Sequence, residues 1–327
     1  MRKVMITRKI PEKGMQILQR DKQAFECIVH EDDRPMTRKE LEKSIKDVDA
    51  IIPMLYDRID GLLLDLAPRL KIVANLAVGT DNIDIPACTE RGIAVTNTPG
   101  VLTEATADLT FALILSAARH VVTADRYLRE GRFNGWDPLL FNGAGLDGKV
   151  LGIIGMGRIG RAVARRGRGF DMEIIYHSRT PLPDDIASEL EATYLSLDDL
   201  VKKADILTLH LPYSSQVHHL IDRQRLNLMK PGAYLINTAR GAHVDEKSLV
   251  EHLKAGKIAG AALDVYEHEP MIAPGLADLN NVTLLPHLGS ATDEARSAMA
   301  EIAAVSVRDI LTGKRSEYIL NPEAIKP

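Results

Sequence analysis

The chain has 327 residues, of which 45% are hydrophobic and 26% are charged, an ordinary globular composition. A length of this size favours two domains over one. The formal net charge is −4 and no block of basic residues occurs, so we expect no nucleic acid as a partner.

The cysteines and apolar runs bear on where the protein works. The two cysteines, Cys27 and Cys88, are too few for a disulfide framework and favour a reducing, cytoplasmic environment. The apolar run Val4–Ile6 has only strand length, so we expect no N-terminal signal. No apolar stretch approaches the roughly 20 residues of a membrane span, so we expect no membrane association.

Short β-rich runs alternate with helical ones along the first hundred residues. Strands are predicted at Val4–Thr7, Phe25–Val29, Asp49–Pro53, Lys71–Ala74 and Gly92–Thr96. The helical stretch from Thr37 opens with a capping box, because Thr37 and Glu40 can each satisfy the other's backbone N–H. This alternation predicts a parallel sheet with helices on its faces.

A second α/β series follows the turn cluster Asn97–Gly100 and a largely apolar helix at Thr103–Arg119. Six strands are predicted at Val150–Ile154, Glu173–Tyr176, Ile206–Leu209, Ala233–Ile236, Gly260–Leu263 and Val282–Leu285. Six such runs fit a doubly wound sheet, and a final helix is predicted at Ala291–Leu311.

A glycine-rich turn, Gly155-Met156-Gly157-Arg158-Ile159-Gly160, follows the first of these strands and opens a helix. Glycine allows the tight turn, the close approach of backbone to a pyrophosphate and the packing of helix on strand. The helix N-terminus at Arg158 and Ile159 offers free N–H groups to phosphate. We therefore predict that Gly155, Gly157, Arg158, Ile159 and Gly160 bind a dinucleotide.

The residues after the next strand bear on the choice of cofactor. An acidic residue there would accept a hydrogen bond from the ribose 2′-hydroxyl of NAD and repel a 2′-phosphate. Instead Ser178, Arg179 and Thr180 supply hydroxyls and a guanidinium that suit phosphate. NADP(H) is the preferred prediction and NAD(H) remains possible. In the alternative, Arg179 stacks on adenine and both cofactors are accepted.

Three polar segments end the last strands: Ile236–Gly241, Leu263–Pro270 and Leu285–Ser290. They carry the motifs Asn-x-Ala-Arg-Gly, Asp-Val-x-x-x-Glu-Pro and Pro-His-x-Gly-Ser. With the glycine-rich turn, these motifs occur in the order and spacing of the D-isomer-specific 2-hydroxyacid dehydrogenases. The chain resembles that family over essentially its whole length, and most of all its glyoxylate/hydroxypyruvate reductase branch.

The chemistry of that family needs these residue types. Arg240 can hold an oxygen of a 2-keto acid through a charge-assisted hydrogen bond. His287 is suited to protonate the carbonyl oxygen as hydride arrives from the nicotinamide, and Glu269 can orient the imidazole. We therefore predict Arg240, Glu269 and His287 as the catalytic residues.

The resemblance implies further contacts. Those to the cofactor are Thr106, Thr238, Asp264 and Gly289, with Asp264 bonding the nicotinamide carboxamide. Those to the substrate are Leu55, Leu76, Val78, Gly79, Arg240 and His287, with backbone N–H groups of Val78 and Gly79 on the carboxylate. Trp136 reaches the pocket of a partner subunit in the homodimer that the resemblance implies, or it simply packs in the interface.

The predicted fold is α/β, with two Rossmann-like doubly wound domains, parallel sheets and an active site in the cleft between them. Residues 1–99 and 290–327 form the substrate domain, and residues 100–289 the dinucleotide domain. The resemblance implies reduction of glyoxylate and hydroxypyruvate to glycolate and D-glycerate. Alternatives are a 2-ketogluconate or 3-phosphoglycerate type of the family, or a dinucleotide-sensing scaffold. No metal is expected, because His218 and His219 lack a partner at metal-ligand spacing.

Overall fold

The computed structural model describes residues 1–20 and 24–325, which divide into two α/β units. One unit comprises Met1–Leu102 and the described residues from Ala291 onward, and the other is Thr103–Ser290. The last two residues of the predicted segment 290–327 lie outside the described residues. Both sheets are parallel throughout, which confirms the prediction of two parallel-sheet α/β domains.

The first unit contains a five-stranded sheet with the order β2-β1-β3-β4-β5. Its elements in chain order are β1 (Arg2–Ile6), α1 (Glu12–Gln19), β2 (Phe25–Val29), α2 (Arg38–Ser44), β3 (Ala50–Ile52), α3 (Gly61–Asp65), β4 (Ile72–Ala74), α4 (Ile85–Glu90) and β5 (Ala94–Thr96). The predicted capping box is present at α2, where the Thr37 N–H donates to Glu40 over 2.7 Å and the Thr37 hydroxyl accepts from the Glu40 N–H.

The second unit contains a seven-stranded sheet with the order β12-β11-β10-β9-β6-β7-β8. Its elements are α5 (Thr103–Ala118), α6 (Val121–Arg129), β6 (Val150–Ile154), α7 (Arg158–Arg168), β7 (Glu173–His177), α8 (Asp184–Glu189), β8 (Ala192–Tyr194), α9 (Leu197–Lys203), β9 (Ile206–Leu209), α10 (Arg223–Leu228), β10 (Tyr234–Asn237), α11 (Glu246–Lys254), β11 (Gly260–Leu263) and β12 (Val282–Leu284). Strand order reverses at β6, which pairs with β7 on one side and β9 on the other. Ligands bind at the carboxyl ends of strands beside such a reversal.

The prediction of six strands for this sheet is one short, because it omits β8. This strand has only three residues, pairs with β7 alone and is largely exposed. An edge strand of this length has too few residues to set up a recognisable alternation of apolar and polar side chains.

The last helix, α12 (Asp293–Leu311), returns to the first unit and packs against α1 and β4. The Thr292 hydroxyl caps it by accepting from the Ala295 N–H over 3.1 Å. Most side chains on its buried face are small. A Cβ added to Gly14 of α1 would lie 2.8 Å from the Ala300 carbonyl oxygen. Glycine at position 14 therefore allows the two helix backbones to approach closely.

Helix α5 is the apolar helix predicted near Thr103, and its packing partners lie within the second unit. It contacts α7, β10 and β11, and half of its residues are buried. Across residues 1–20 and 24–325 no single helix is long and apolar enough to cross a membrane. Only α5 and α6 taken together reach that length and composition, and a 64° bend separates them.

Candidate active site

The glycine-rich turn joins the carboxyl end of β6 to the start of α7. Gly155 has a φ of +96°, a left-handed backbone conformation, and Gly157 is the N-cap of α7. Glycine has no side chain with which to cap a helix, so the first N–H groups of α7 are left for another acceptor. A helix N-terminus in this state favours an anion.

The space around the three glycines tests whether a dinucleotide fits. A Cβ on Gly155 would lie 2.5 Å from the His210 carbonyl oxygen, and one on Gly160 would lie 2.1 Å from the Gly155 carbonyl oxygen. A Cβ on Gly157 would meet nothing within 4 Å. Gly155 and Gly160 are thus required by packing of the protein itself, whereas Gly157 faces the open space that a pyrophosphate needs. The glycine-rich turn therefore fits the pyrophosphate of a dinucleotide.

The residues predicted to choose the cofactor follow β7. The Ser178 hydroxyl donates to the Thr180 carbonyl over 2.7 Å, which turns the chain back on itself. Arg179 is exposed, and in the described chain its guanidinium is in no ion pair or hydrogen bond. A positive charge therefore stands beside the end of β7 without a protein counter-charge.

Asp264, predicted to bond the nicotinamide carboxamide, has its carboxylate in hydrogen bonds with the protein backbone. The side chain is fully buried, and its two oxygens accept from the N–H groups of Leu288, over 2.6 Å, and Gly289, over 2.8 Å. Burial raises the pKa of Asp264, and these backbone hydrogen bonds and the charge of His287 act against that rise. Asp264 therefore anchors the segment after β12 to the end of β11.

The other predicted cofactor residues cluster around the same segment. The Thr106 hydroxyl of α5 donates to the Gly289 carbonyl over 3.0 Å. The Thr238 hydroxyl is 3.0 Å from that of Thr110, on the next turn of α5. These contacts bring α5 to the ends of β10 and β12, where Thr106, Thr238, Asp264 and Gly289 lie together.

His287 lies on this anchored segment and is paired with Glu269. Its Nδ1 is 2.9 Å from Glu269 Oε2, and its backbone N–H donates to the Asp264 carbonyl over 2.9 Å. The φ of His287 is +57°, a left-handed conformation that is uncommon for a residue with a side chain. Backbone strain of this kind, at a side chain paired with a carboxylate, is characteristic of functional sites.

The electrostatics of the pair favour an ionised carboxylate. Burial raises the pKa of Glu269, but the hydrogen bond and charge of His287, the Tyr266 N–H and the charge of Arg240 together outweigh burial. The pKa of Glu269 is therefore held below its usual value of 4.5. A carboxylate that stays ionised accepts a hydrogen bond from Nδ1 and fixes the orientation of the imidazole.

This pKa shift predicts how stability depends on pH. Because the folded state lowers the pKa of Glu269, the pair stabilises the fold above the unfolded-state pKa of about 4.5 and loses that effect as pH falls through the folded-state pKa. The Glu269→Gln variant should thus have a lower Tm than the parent near neutral pH, and the difference should shrink below about pH 4.5. Thermal unfolding across a pH series measures this. A difference that widens in acid would contradict the assignment.

Arg240 follows β10 in extended conformation, and its neighbours hold it there. Its carbonyl accepts from the Asn237 side-chain amide over 2.8 Å, and its Nη1 donates to the Ala239 carbonyl over 2.8 Å. Asn237 and Gly241 are not among the predicted site residues, although both lie in the same motif as Arg240. A Cβ on Gly241 would lie 1.8 Å from the Tyr266 carbonyl carbon, so glycine is required where this segment crosses the one after β11.

Tyr266 was also missed by sequence reasoning. Its hydroxyl donates to the Leu285 carbonyl over 2.9 Å, and its N–H donates to Glu269 Oε1 over 3.1 Å. It thereby joins the segments that carry Glu269 and His287. A tyrosine between a motif aspartate and a motif glutamate was the available signal.

Four of the residues predicted to bind substrate lie on two loops of the first unit. Leu55 follows β3, and Leu76, Val78 and Gly79 follow β4. The Leu76 N–H donates to the Pro53 carbonyl over 3.2 Å, which joins the two loops. Across residues 1–20 and 24–325, the N–H groups of Val78 and Gly79 find no acceptor.

Trp136 lies on the segment between α6 and β6 and is 85% exposed. Phe133 and Leu139 on the same segment are 54% and 79% exposed. Three large, exposed apolar side chains on one short segment are typical of an interaction site.

His218 and His219, for which no metal is expected, lie near Glu267, and the three possible ligand atoms are within 4.8 Å of one another. The contacts present are hydrogen bonds, with His219 Nε2 2.7 Å from Glu267 Oε1 and His218 Nδ1 3.3 Å from the Tyr213 hydroxyl. The fold thus brings a third possible ligand, Glu267, to the two histidines, a neighbour that spacing along the chain does not indicate.

Comparison with known proteins gives a consistent result. Residues 111–289 match the family model described as D-isomer specific 2-hydroxyacid dehydrogenase, NAD binding domain. A glyoxylate reductase of Thermococcus litoralis is 47% identical over 327 residues, covering 99% of this chain and 98% of that protein.

Two solved structures extend the match to the whole fold. A Thermus thermophilus protein has a TM-score of 0.91 and 44% identity, covering 97% of this chain and 99% of that one. An NADPH-dependent glyoxylate/hydroxypyruvate reductase of Sinorhizobium meliloti, in complex with NADP and malonate, has a TM-score of 0.85 and 33% identity, covering 100% of this chain and 98% of that one. The chain belongs to the D-isomer specific 2-hydroxyacid dehydrogenase family.

Proposed function

We propose that this protein reduces small 2-keto acids, glyoxylate and hydroxypyruvate, to glycolate and D-glycerate with a nicotinamide dinucleotide. The observation that carries the proposal is the pair of His287 Nδ1 and Glu269 Oε2, 2.9 Å apart, on segments that follow β11 and β12. The glycine-rich turn of the same unit fits the dinucleotide. Relatives named glyoxylate reductase match along the full length of the chain.

Each residue of the proposed site has a separate role in the reaction. The bound cofactor supplies hydride to the carbonyl carbon of the keto acid. Because Glu269 holds Nδ1 of His287, Nε2 is the ring nitrogen that holds the proton for the carbonyl oxygen. Arg240 provides positive charge for the oxygen that becomes more negative as the carbonyl is reduced. The N–H groups of Val78 and Gly79 bind the carboxylate.

A direct assay tests the proposal. The purified protein is given NADPH or NADH and a panel of glyoxylate, hydroxypyruvate, pyruvate, 2-ketogluconate and 3-phosphohydroxypyruvate, and cofactor oxidation is followed by absorbance. We expect turnover of glyoxylate and hydroxypyruvate well above background. Turnover of none of these would refute the enzyme, and turnover of only the larger acids would refute the substrate class.

NADP(H) is the cofactor that we propose as preferred. The support is the exposed guanidinium of Arg179 beside the hydroxyls of Ser178 and Thr180, with no carboxylate among the residues that directly follow β7. A guanidinium forms strong, charge-assisted hydrogen bonds with a phosphate.

The Arg179→Ala variant should raise KM for NADPH by about 10-fold, the effect of one charge-assisted hydrogen bond at an exposed position. KM for NADH should change little, because NADH lacks the phosphate. Steady-state kinetics with each cofactor at saturating glyoxylate measure both constants. Lys202→Ala, a loss of exposed positive charge on α9, is the matched control and should alter neither. Equal losses with both cofactors would argue for stacking on adenine instead.

The assembly that we propose is a cytoplasmic homodimer. The exposed apolar side chains of Phe133, Trp136 and Leu139 support it, since a second subunit would cover them. Within that dimer we propose Trp136 as a contact to the partner subunit's substrate. The two free cysteines are compatible with a reducing compartment.

A further inference from the structure

Three asparagine side chains surround the loop that holds Val78 and Gly79, and the proposed function gives them no role. Asn75 follows β4 directly and is completely buried, Asn82 lies beyond the loop, and Asn97 follows β5. A buried amide group is costly unless its donors and acceptor are satisfied, so the partners of these side chains indicate what they do.

The partners are the carbonyl groups of the loop itself. Asn97 Nδ2 donates to the Val78 carbonyl over 2.8 Å, and Asn75 Nδ2 donates to the Gly79 carbonyl over 2.8 Å. Two consecutive peptide groups are therefore held by their oxygens from the protein side. Because a peptide unit is planar, fixing its C=O also fixes the N–H of the following residue. The N–H of Gly79 belongs to the peptide whose oxygen Asn97 holds.

Asn82 connects this hydrogen-bond network to the loop after β3, which contains Leu55. Its amide exchanges hydrogen bonds with that of Asn75, with Nδ2–Oδ1 distances of 3.1 and 3.2 Å, and also donates to the carbonyls of Met54 and Asp57, each at 3.2 Å. Asp57 is buried and accepts from the Met54 N–H over 2.7 Å. Leu55 lies inside this tight turn. One network thus sets the position of both loops.

We propose that Asn75 and Asn97 are positioning residues that hold the Val78–Gly79 backbone in the conformation that binds the substrate carboxylate, an inference that rests on the proposed function. Asn97 acts on the peptide group that carries the Gly79 N–H, and Asn75 holds the other side of Gly79 through its carbonyl. The resulting selectivity is for carbonyl substrates that bear an adjacent carboxylate. The loop needs no cation of its own, because preorganised N–H groups bind an anion without reorganisation.

The test compares Asn75→Ala and Asn97→Ala with Asn321→Ala. Asn321 is a matched control because it is a buried asparagine of the same unit whose amide bonds Val95, Thr89 and Ile93 and none of the loop residues. Measured quantities are KM and kcat for glyoxylate, the inhibition constant of oxalate, the Kd of NADPH and the Tm.

We expect each loop variant to raise KM for glyoxylate and the inhibition constant of oxalate together by about 3- to 10-fold, the range that one net hydrogen bond gives. The kcat and the Kd of NADPH should stay within about 2-fold, since loss of substrate binding alone raises KM without lowering kcat. Asn321→Ala should lower Tm without changing KM. If Asn75→Ala does not fold, the half-buried Asn97 provides the test.

Two results would overturn the inference. One is an unchanged KM in Asn97→Ala. The other is an equal rise of KM in Asn321→Ala, which would mean that any loss of stability in this unit raises KM and that the role of Asn75 and Asn97 is purely structural. A parent protein that reduces no keto acid would overturn the proposed function and this inference together. A parent that reduces glyoxylate with variants indistinguishable from it would overturn this inference alone.

Discussion

The His287→Asn variant is expected to lose about 10²- to 10⁴-fold in kcat for glyoxylate, the usual contribution of a general acid. Asparagine is the appropriate replacement because the φ of His287 is +57°, and asparagine tolerates the left-handed region better than alanine does. Its side chain can still bond Glu269 but has no proton to transfer near neutral pH. The loss should therefore arise from chemistry and not from a collapsed loop.

The matched control is His268→Asn, the same substitution at an exposed histidine next to Glu269. It should leave kcat within about 2-fold, and the Kd of NADPH should be unchanged in both variants, since neither histidine lies in the glycine-rich turn. Stopped-flow and steady-state assays of NADPH oxidation give the rates. A His287→Asn enzyme with the parent kcat would eliminate His287 as the proton donor.

The second large effect is expected at Gly160. A methyl group there would lie 2.1 Å from the Gly155 carbonyl oxygen, and that contact is with backbone, which cannot rotate away. Helix α7 would have to move off β6, at a cost of about 3 kcal/mol, the upper part of the usual range for overpacking. Gly160→Ala should thus lower Tm markedly and abolish measurable NADPH binding, because the helix N-terminus moves with it.

The Gly157→Ala variant distinguishes an effect on cofactor binding from an effect on the stability of the fold. The added Cβ meets nothing within 4 Å of the protein, so Tm should fall by only a few degrees, from loss of the preferred glycine N-cap. The Kd of NADPH should nevertheless rise by about 10²-fold, since the methyl group occupies the approach to the pyrophosphate. Gly232→Ala, at an open position before β10, is the control and should change neither. Tight NADPH binding by Gly157→Ala would place the cofactor elsewhere.

The elements of this fold differ in how strongly their own residues specify them. Buried central strands such as β6 and β9 can be predicted because most residues of each run are apolar. The glycine-rich turn can be predicted because few other residues adopt its backbone conformation. The edge strand β8 was missed because only one neighbour and little burial specify it. A sequence pattern therefore predicts an element only where the residues of that element themselves determine its conformation.

The hydrogen bonds that hold the site residues in place could not be predicted from sequence patterns. The motif around Asp264 predicts a cofactor contact, and only the folded chain brings the N–H groups of Leu288 and Gly289 to its carboxylate. Asn75 and Asn97 carried no signal, because asparagine after a strand is also the usual residue of an ordinary turn. Hydrogen bonds between distant segments depend on tertiary geometry that spacing along the chain does not encode.

The return of α12 to the first unit has a consequence for how the protein is made. One face of the five-stranded sheet, including Ile6, Ile52 and Ile72, is covered in part by Ala300, Ala304 and Val307 of that helix. During synthesis this face has no complete cover until all of Thr103–Ser290 has been translated, although that unit has its whole chain by then. The unit that begins earlier in the chain is therefore completed later than the other, and its apolar sheet face needs protection while Thr103–Ser290 is translated.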